Sequence, residues 1–158
     1  MAITKNTDAY ADTDDVTRLT GKAYTTTTRP TTAALETALK ESADMLNAAL
    51  AAVGYSIPVA TGATRSSRIL QSLNQKAGAA FAESAVPGTS GIPQRAQAWQ
   101  EEFNAGLKMI SRGDLSMPDV TLSDDNLVPQ DSQSPAGEFN LDTDGDERDP
   151  VFDRDTEM

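Results

Sequence analysis

Between Pro30 and Gly113, apolar residues recur at helical spacing in three stretches separated by two short breaks. The first and longest predicts a helix over Thr32 to Val53. Leu35, Leu39, Leu46, Leu50 and Val53 fall close to one face, with Ala38 and Ala49 beside them. Pro30 and two threonines stand at its start, Glu36 lies in its first turn, and Gly54 follows its last apolar residue. A second helix is expected from about Thr64 to Ala85, with Ile69, Leu70, Leu73, Ala77, Ala80 and Phe81 along one side and Pro87-Gly88 as its stop. A third runs from about Pro93 to Arg112. Its stripe of Ala96, Trp99, Phe103, Leu107 and Ile110 follows steps of 3, 4, 4 and 3, between a proline at the first turn and Gly113 just past the end. The expected bundle core is therefore Leu35, Leu39, Leu46, Leu50, Val53, Leu73, Phe81, Trp99, Phe103, Leu107 and Ile110.

The flanks are patterned differently. Residues 1–12 are polar and predict an extended arm. Thr13 to Gly21 predicts a helix of one or two turns, with Asp14 and Asp15 at its positive end and Val16 and Leu19 as an apolar pair. The four threonines after Tyr24 favour extended structure and a linker into the main helix, where Arg29-Pro30 requires an extended residue. Tyr55-Ser56-Ile57-Pro58-Val59 cannot be regular helix and is expected to fold back on the bundle. Beyond Pro118 periodicity gives way to Asp, Ser, Gln, Pro and Gly, the composition of a disordered tail. The expected fold class is mainly α: a small three- to four-helix bundle with an extended N-terminal arm and a long acidic C-terminal tail. Its parts are 1–29, 30–117 and 118–158.

The 158 residues suffice for one domain with a modest core, and an aromatic fraction of 5% points to thin, alanine-rich packing. Cysteine and histidine are both absent. That excludes disulfides, thiolate metal sites, and the Ser-His-Asp and Cys-His nucleophilic schemes. No signal pattern or bilayer-length apolar run is present, so a soluble chain made in the cytoplasm, with no membrane contact, is expected.

Charge changes the picture most. Residues 1–117 carry 11 acids and 11 bases, whereas residues 118–158 carry 13 acids against Arg148 and Arg154 alone. A neutral body with an anionic tail does not bind nucleic acid by counterion release. It repels DNA or attracts a basic protein surface.

Candidate chemistry is sparse. Asp142, Asp144 and Asp146 match the first three ligand positions of an EF-hand loop. The pattern then fails, because Glu147 replaces the turn glycine, Pro150 intrudes and Asp153 stands where a bidentate glutamate belongs. A solvated acidic tail is the better account. Glu101 and Glu102, with Asp114, suggest paired carboxylates, but adjacent helical residues diverge and a solvent-facing pair is preferred. Trp99 and Phe103 read as core before they read as an aromatic docking surface. Arg65, Arg68 and Lys76 read as ordinary surface charge, and no glycine-rich loop has phosphate-cradle spacing. No catalytic residue, cofactor or metal site is expected. The apolar residues Leu122, Leu127, Val128, Phe139, Leu141, Val151 and Phe152 punctuate the tail. They are either anchors for a partner's pockets or sheet edge, or incidental composition.

The order of features resembles the head-to-tail adaptor (head completion, or connector) proteins of tailed bacteriophages. The resemblance rests on Asp14-Asp15-Val16 leading to Gly21, on Pro30-Thr31-Thr32 opening a long helix, and on its close at Ala52-Val53-Gly54-Tyr55-Ser56-Ile57-Pro58. It continues to a third helix ending Leu107-Lys108-Met109-Ile110-Ser111-Arg112-Gly113-Asp114. It covers roughly residues 10 to 117 and leaves out the acidic tail. The resemblance implies a structural virion protein of the neck, assembled as a homo-oligomeric ring of usually twelve copies. Such a ring docks under the portal protein, extends the DNA channel and gives tail or neck proteins a platform, while packaged DNA passes without specific binding.

Two other classes compete. An acidic DNA mimic or regulatory protein acting through its tail predicts salt-sensitive binding that is lost without residues 118–158. An enzyme would have to use carboxylates alone or metal-assisted hydrolysis, and the sequence offers no convergent cluster for either.

Overall fold

A computed structural model of the chain describes residues 3, 8–59, 64–86 and 93–123. All lie in the first of two compact units, Met1–Asn126 and Leu127–Met158. The fold is mainly α. Among the described residues there are four helices, α1 (Thr13–Thr20), α2 (Thr32–Ala52), α3 (Thr64–Ser84) and α4 (Gln94–Ser111), and no strand.

Local chemistry sets the helix ends. Asp12 and Asp15 form a reciprocal capping box on α1, and Gly21 at φ 73° closes it by donating to the Thr17 carbonyl at 2.8 Å. On α2, Thr31 Oγ1 accepts the Ala34 amide at 3.3 Å, and Gly54 follows the C-cap Val53 at φ 87°. Because α2 begins at Thr32, Glu36 falls beyond its first turn, which holds no acid. Pro93 is the N-cap of α4, without a side-chain hydrogen bond.

The three long helices pack antiparallel in sequence order. Leu39 of α2 lies against Gly78 of α3, and one turn further along α2, Ser42 bonds Asn74. Leu73 of α3 lies against Gly106 of α4, and Lys76 pairs with Glu102. Of the expected core, Leu35, Leu39, Leu46, Leu50, Leu73, Trp99, Phe103 and Ile110 are buried, while Val53 and Leu107 are half-buried.

Four expectations are corrected. Phe81 is 38% exposed, because Ala77, Ala79, Ala80 and Ala82 fill the α3 seams there and leave the ring on a rim. The N-terminal segment is not simply an arm: Ala9, Tyr10 and Ala11 are buried with Val16 in the same core. Tyr10 Oη donates to Asn47, and the Ala11 amide donates to Asn74 Oδ1 at 2.8 Å. The threonine run bends instead of extending. Its hydroxyls compete for the backbone, Thr28 Oγ1 accepting the Thr25 amide at 2.8 Å, and the Thr32 amide returns to the Thr25 carbonyl at 3.0 Å. Finally, the body does not stop at residue 117. Met117 is in the core, Val120 packs against it, and the chain stays bonded to the body through Ser123.

Candidate docking surfaces

Two surfaces stand out on the helical body. The first is the end where α2 and α4 finish. Gly54 turns the chain out of α2, and Tyr55 pairs with Leu122 in an isolated antiparallel bridge. The Ser56 amide donates to the Thr121 carbonyl at 2.9 Å, and the Ser123 amide to the Gly54 carbonyl at 2.7 Å. Tyr55 Oη accepts the Met117 amide at 3.4 Å. Gly113, at φ 73°, lies beside Val53, whose Cγ1 would be 3.5 Å from an added Cβ. A few residues on, Asp119 Oδ2 accepts the Arg65 and Ser66 amides at 3.0 and 3.2 Å and so caps α3 from a distant part of the chain. Val59 is buried, as the expected fold-back requires, while Ile57 and Leu122 are 46% and 54% exposed. The Gly54–Pro58 junction and the segment after α4 therefore form one surface.

The second surface is a stripe on α4. Gln97, Gln100, Glu101, Asn104, Lys108 and Ser111 share one exposed face, with half-buried Leu107 at its inner edge. Two apolar grooves flank it on the same side. One, of about 350 Å³, lies between the end of α3 and the start of α4 and is walled by Ala80, Phe81 and Ala96. The other, of about 500 Å³, lies between α2 and the second half of α4 and is walled by Met45, Ala48, Ala49 and Leu107. Met45 is 54% exposed and Phe81 38%.

The polar candidates are accounted for locally. Glu102 pairs with Lys76 at 2.5 Å, and Glu101 accepts from Gln97 Nε2 at 3.0 Å one turn away. Trp99 and Phe103 are core, with the Arg95 guanidinium 4.7 Å from the Trp99 ring centroid. Arg65 and Arg68 are exposed. Burial raises the Tyr10 hydroxyl above its ordinary pKa, opposed by the hydrogen bond from the Val59 amide. Among the described residues no three acidic side chains converge on a metal position, and no helix is long and apolar enough to cross a membrane.

Of the tail residues singled out as anchors, only Leu122 is described. Leu127, Val128, Phe139, Leu141, Val151 and Phe152 lie outside the described residues, as do Asp142, Asp144 and Asp146. The structural role of Asp119 escaped the sequence reading. Its signal was the continued apolar spacing of Leu115, Met117, Val120 and Leu122, which marks a segment still tied to a core. No protein-family model, curated protein or solved structure matches the chain.

Proposed function

We propose that the chain is a structural head-to-tail adaptor of a tailed bacteriophage. In this role it assembles as a ring under the portal, continues the DNA channel and gives the tail its platform. The observation that supports this reading most is the convergence of the resemblance-bearing segments. Of the segments that carry the resemblance, Val53 and Gly113 lie side by side at one end of the body, and residues 121–123, just beyond the resemblance, bond Gly54, Tyr55 and Ser56 there. That end presents exposed Ile57 and Leu122, and the sequence that follows Ser123 is strongly acidic. Such a surface suits docking onto a larger ring, with the anionic stretch meeting basic partner surfaces or keeping DNA from adhering.

The charge division favours one alternative, an acidic DNA mimic that occupies a nucleic-acid site on another protein. The experiment is light scattering of the chain alone and with the portal protein of the same virus, repeated with a truncation after Ser123. The cut belongs there because Asp119 and Thr121 bond the body. The adaptor reading predicts a ring-sized mass on the portal that survives the truncation. A chain that ignores the portal, together with salt-sensitive binding to a nucleic-acid enzyme that the truncation abolishes, would replace it with the mimic.

A further inference from the structure

The α4 stripe is self-complementary, and we infer that two copies of the free chain pair through it about a twofold axis crossing α4 at Asn104. Both apolar grooves lie on the same side of the stripe, one reaching to Glu101 and the other starting at Asn104, near the middle of the stripe. An axis perpendicular to the helix reverses α4 and keeps that side in place. The Phe81 groove of each copy then lands on the Met45 groove of the other. Residues equally far from Asn104 face each other across the axis. Glu101 meets Leu107 and Lys108 of the second copy, Gln100 meets Lys108, and Gln97 meets Ser111.

Charge supports this register. Glu101 is the stripe's only acid and stands in one half, while Lys108 is its only base and stands in the other. Antiparallel pairing therefore makes two Glu–Lys contacts, whereas parallel pairing would set like charges together. Both side chains are exposed, and among the described residues the side-chain partner of Glu101 is Gln97, one turn away. The apolar part of the contact is supplied by Met45, Ala48, Leu107 and Phe81, which monomeric packing leaves partly uncovered. This pairing is independent of the adaptor reading, since it concerns the free chain and not the portal-bound form.

The test is sedimentation velocity of the full chain over a concentration series, for wild type, Glu101→Lys, Lys108→Glu, the double variant and a one-to-one mixture of the two single variants. Far-ultraviolet circular dichroism confirms that each variant is folded. Wild type is expected to reach twice the 16.7 kDa of one chain. Each single reversal should weaken pairing about tenfold or more, because it places like charges together twice. The mixture and the double variant should pair again, since both restore opposite charges at both contacts. A wild type that stays monomeric overturns the inference, as do single variants that pair like wild type. A free wild-type ring that is indifferent to both reversals also overturns it, while leaving the adaptor reading standing.

Discussion

The two long seams of the body are built on different principles. Between α2 and α3 the contact is polar at its centre. Asn74, fully buried, accepts the Ala11 amide and donates to the Leu39 carbonyl at 2.9 Å and to Ser42 Oγ at 2.7 Å. One residue therefore ties the N-terminal segment, α2 and α3 together. Gln71 and Gln75 extend the pattern outward by bonding the carboxylate and the carbonyl of buried Asp15. Between α3 and α4 the contact is steric: Leu73 fills the space that Gly106 leaves open, beside Trp99 and Phe103. A hydrogen-bonded seam fixes one register, because any slip strands buried donors and acceptors. A seam of Leu against Gly tolerates small shifts, because its buried contacts have only shape to satisfy and its one ion pair lies at the partly exposed edge.

The largest effect should come from removing the polar centre. Asn74→Ala leaves the buried Ala11 amide without its partner, removes one bond each from the Leu39 carbonyl and Ser42 Oγ, and opens a cavity. It is expected to cost about 3–5 kcal/mol in urea denaturation. Hydrogen exchange should show the added loss concentrated at Ala11. If exchange at Ala11 stays as slow as in wild type, the contrast between the seams is wrong.

Next come the two glycines. A Cβ on Gly78 would lie 2.7 Å from Leu39 Cδ2 and 3.0 Å from Val16 Cγ2, both on fully buried side chains of different helices. Gly78→Ala should therefore destabilise by about 1–3 kcal/mol. For Gly106→Ala the three nearest atoms all belong to the branched end of Leu73, and the substitution gains helix propensity. We expect a net change within about 1 kcal/mol. Equal costs at the two sites would erase the distinction.

A smaller effect is carried by pH. Burial raises the Tyr10 pKa in the folded chain, so the neutral hydroxyl is the form the fold prefers. Its contribution is complete below the unfolded value of about 10 and is lost as pH rises through the folded value. Tyr10→Phe should flatten the alkaline limb of the stability curve relative to wild type. Superimposable limbs would show that Tyr10 is not titrating in the core.

The smallest effect is expected at Lys76→Ala, which breaks a partly exposed pair with Glu102 on the α3–α4 side. About 0.5 kcal/mol or less should be lost, and less still in high salt.

Much of the fold was legible in the sequence because α2, α3 and α4 announce themselves by apolar periodicity and by Pro and Gly at their ends. The expected limits agree with the observed helices within one residue at each end. What escaped was not periodic. Asn74 falls among the stripe residues of α3 but is polar, and nothing local says that its partners are Ala11, Leu39 and Ser42. Ala9, Tyr10 and Ala11 are three residues in a polar flank, too few to register as an element. Phe81 sits at the edge of its helix's apolar stripe, where small neighbouring residues can fill the seam without it. Asp119 caps α3 from more than 50 positions away; the apolar residues around it mark a segment tied to the core, but no spacing names the helix it caps. The docking surfaces were half legible: Gly54-Tyr55 and Gly113-Asp114 were singled out as segments, but their meeting is a tertiary fact.

The most direct test of the functional account is electron microscopy of the full chain mixed with the portal protein of the same virus. The adaptor reading predicts a rotationally symmetric layer of extra density on one face of the portal ring. Within that layer, the end of the body bearing Ile57 and Leu122 should lie at the contact. Portal rings without added density, beside free particles no larger than a pair of chains, would contradict it.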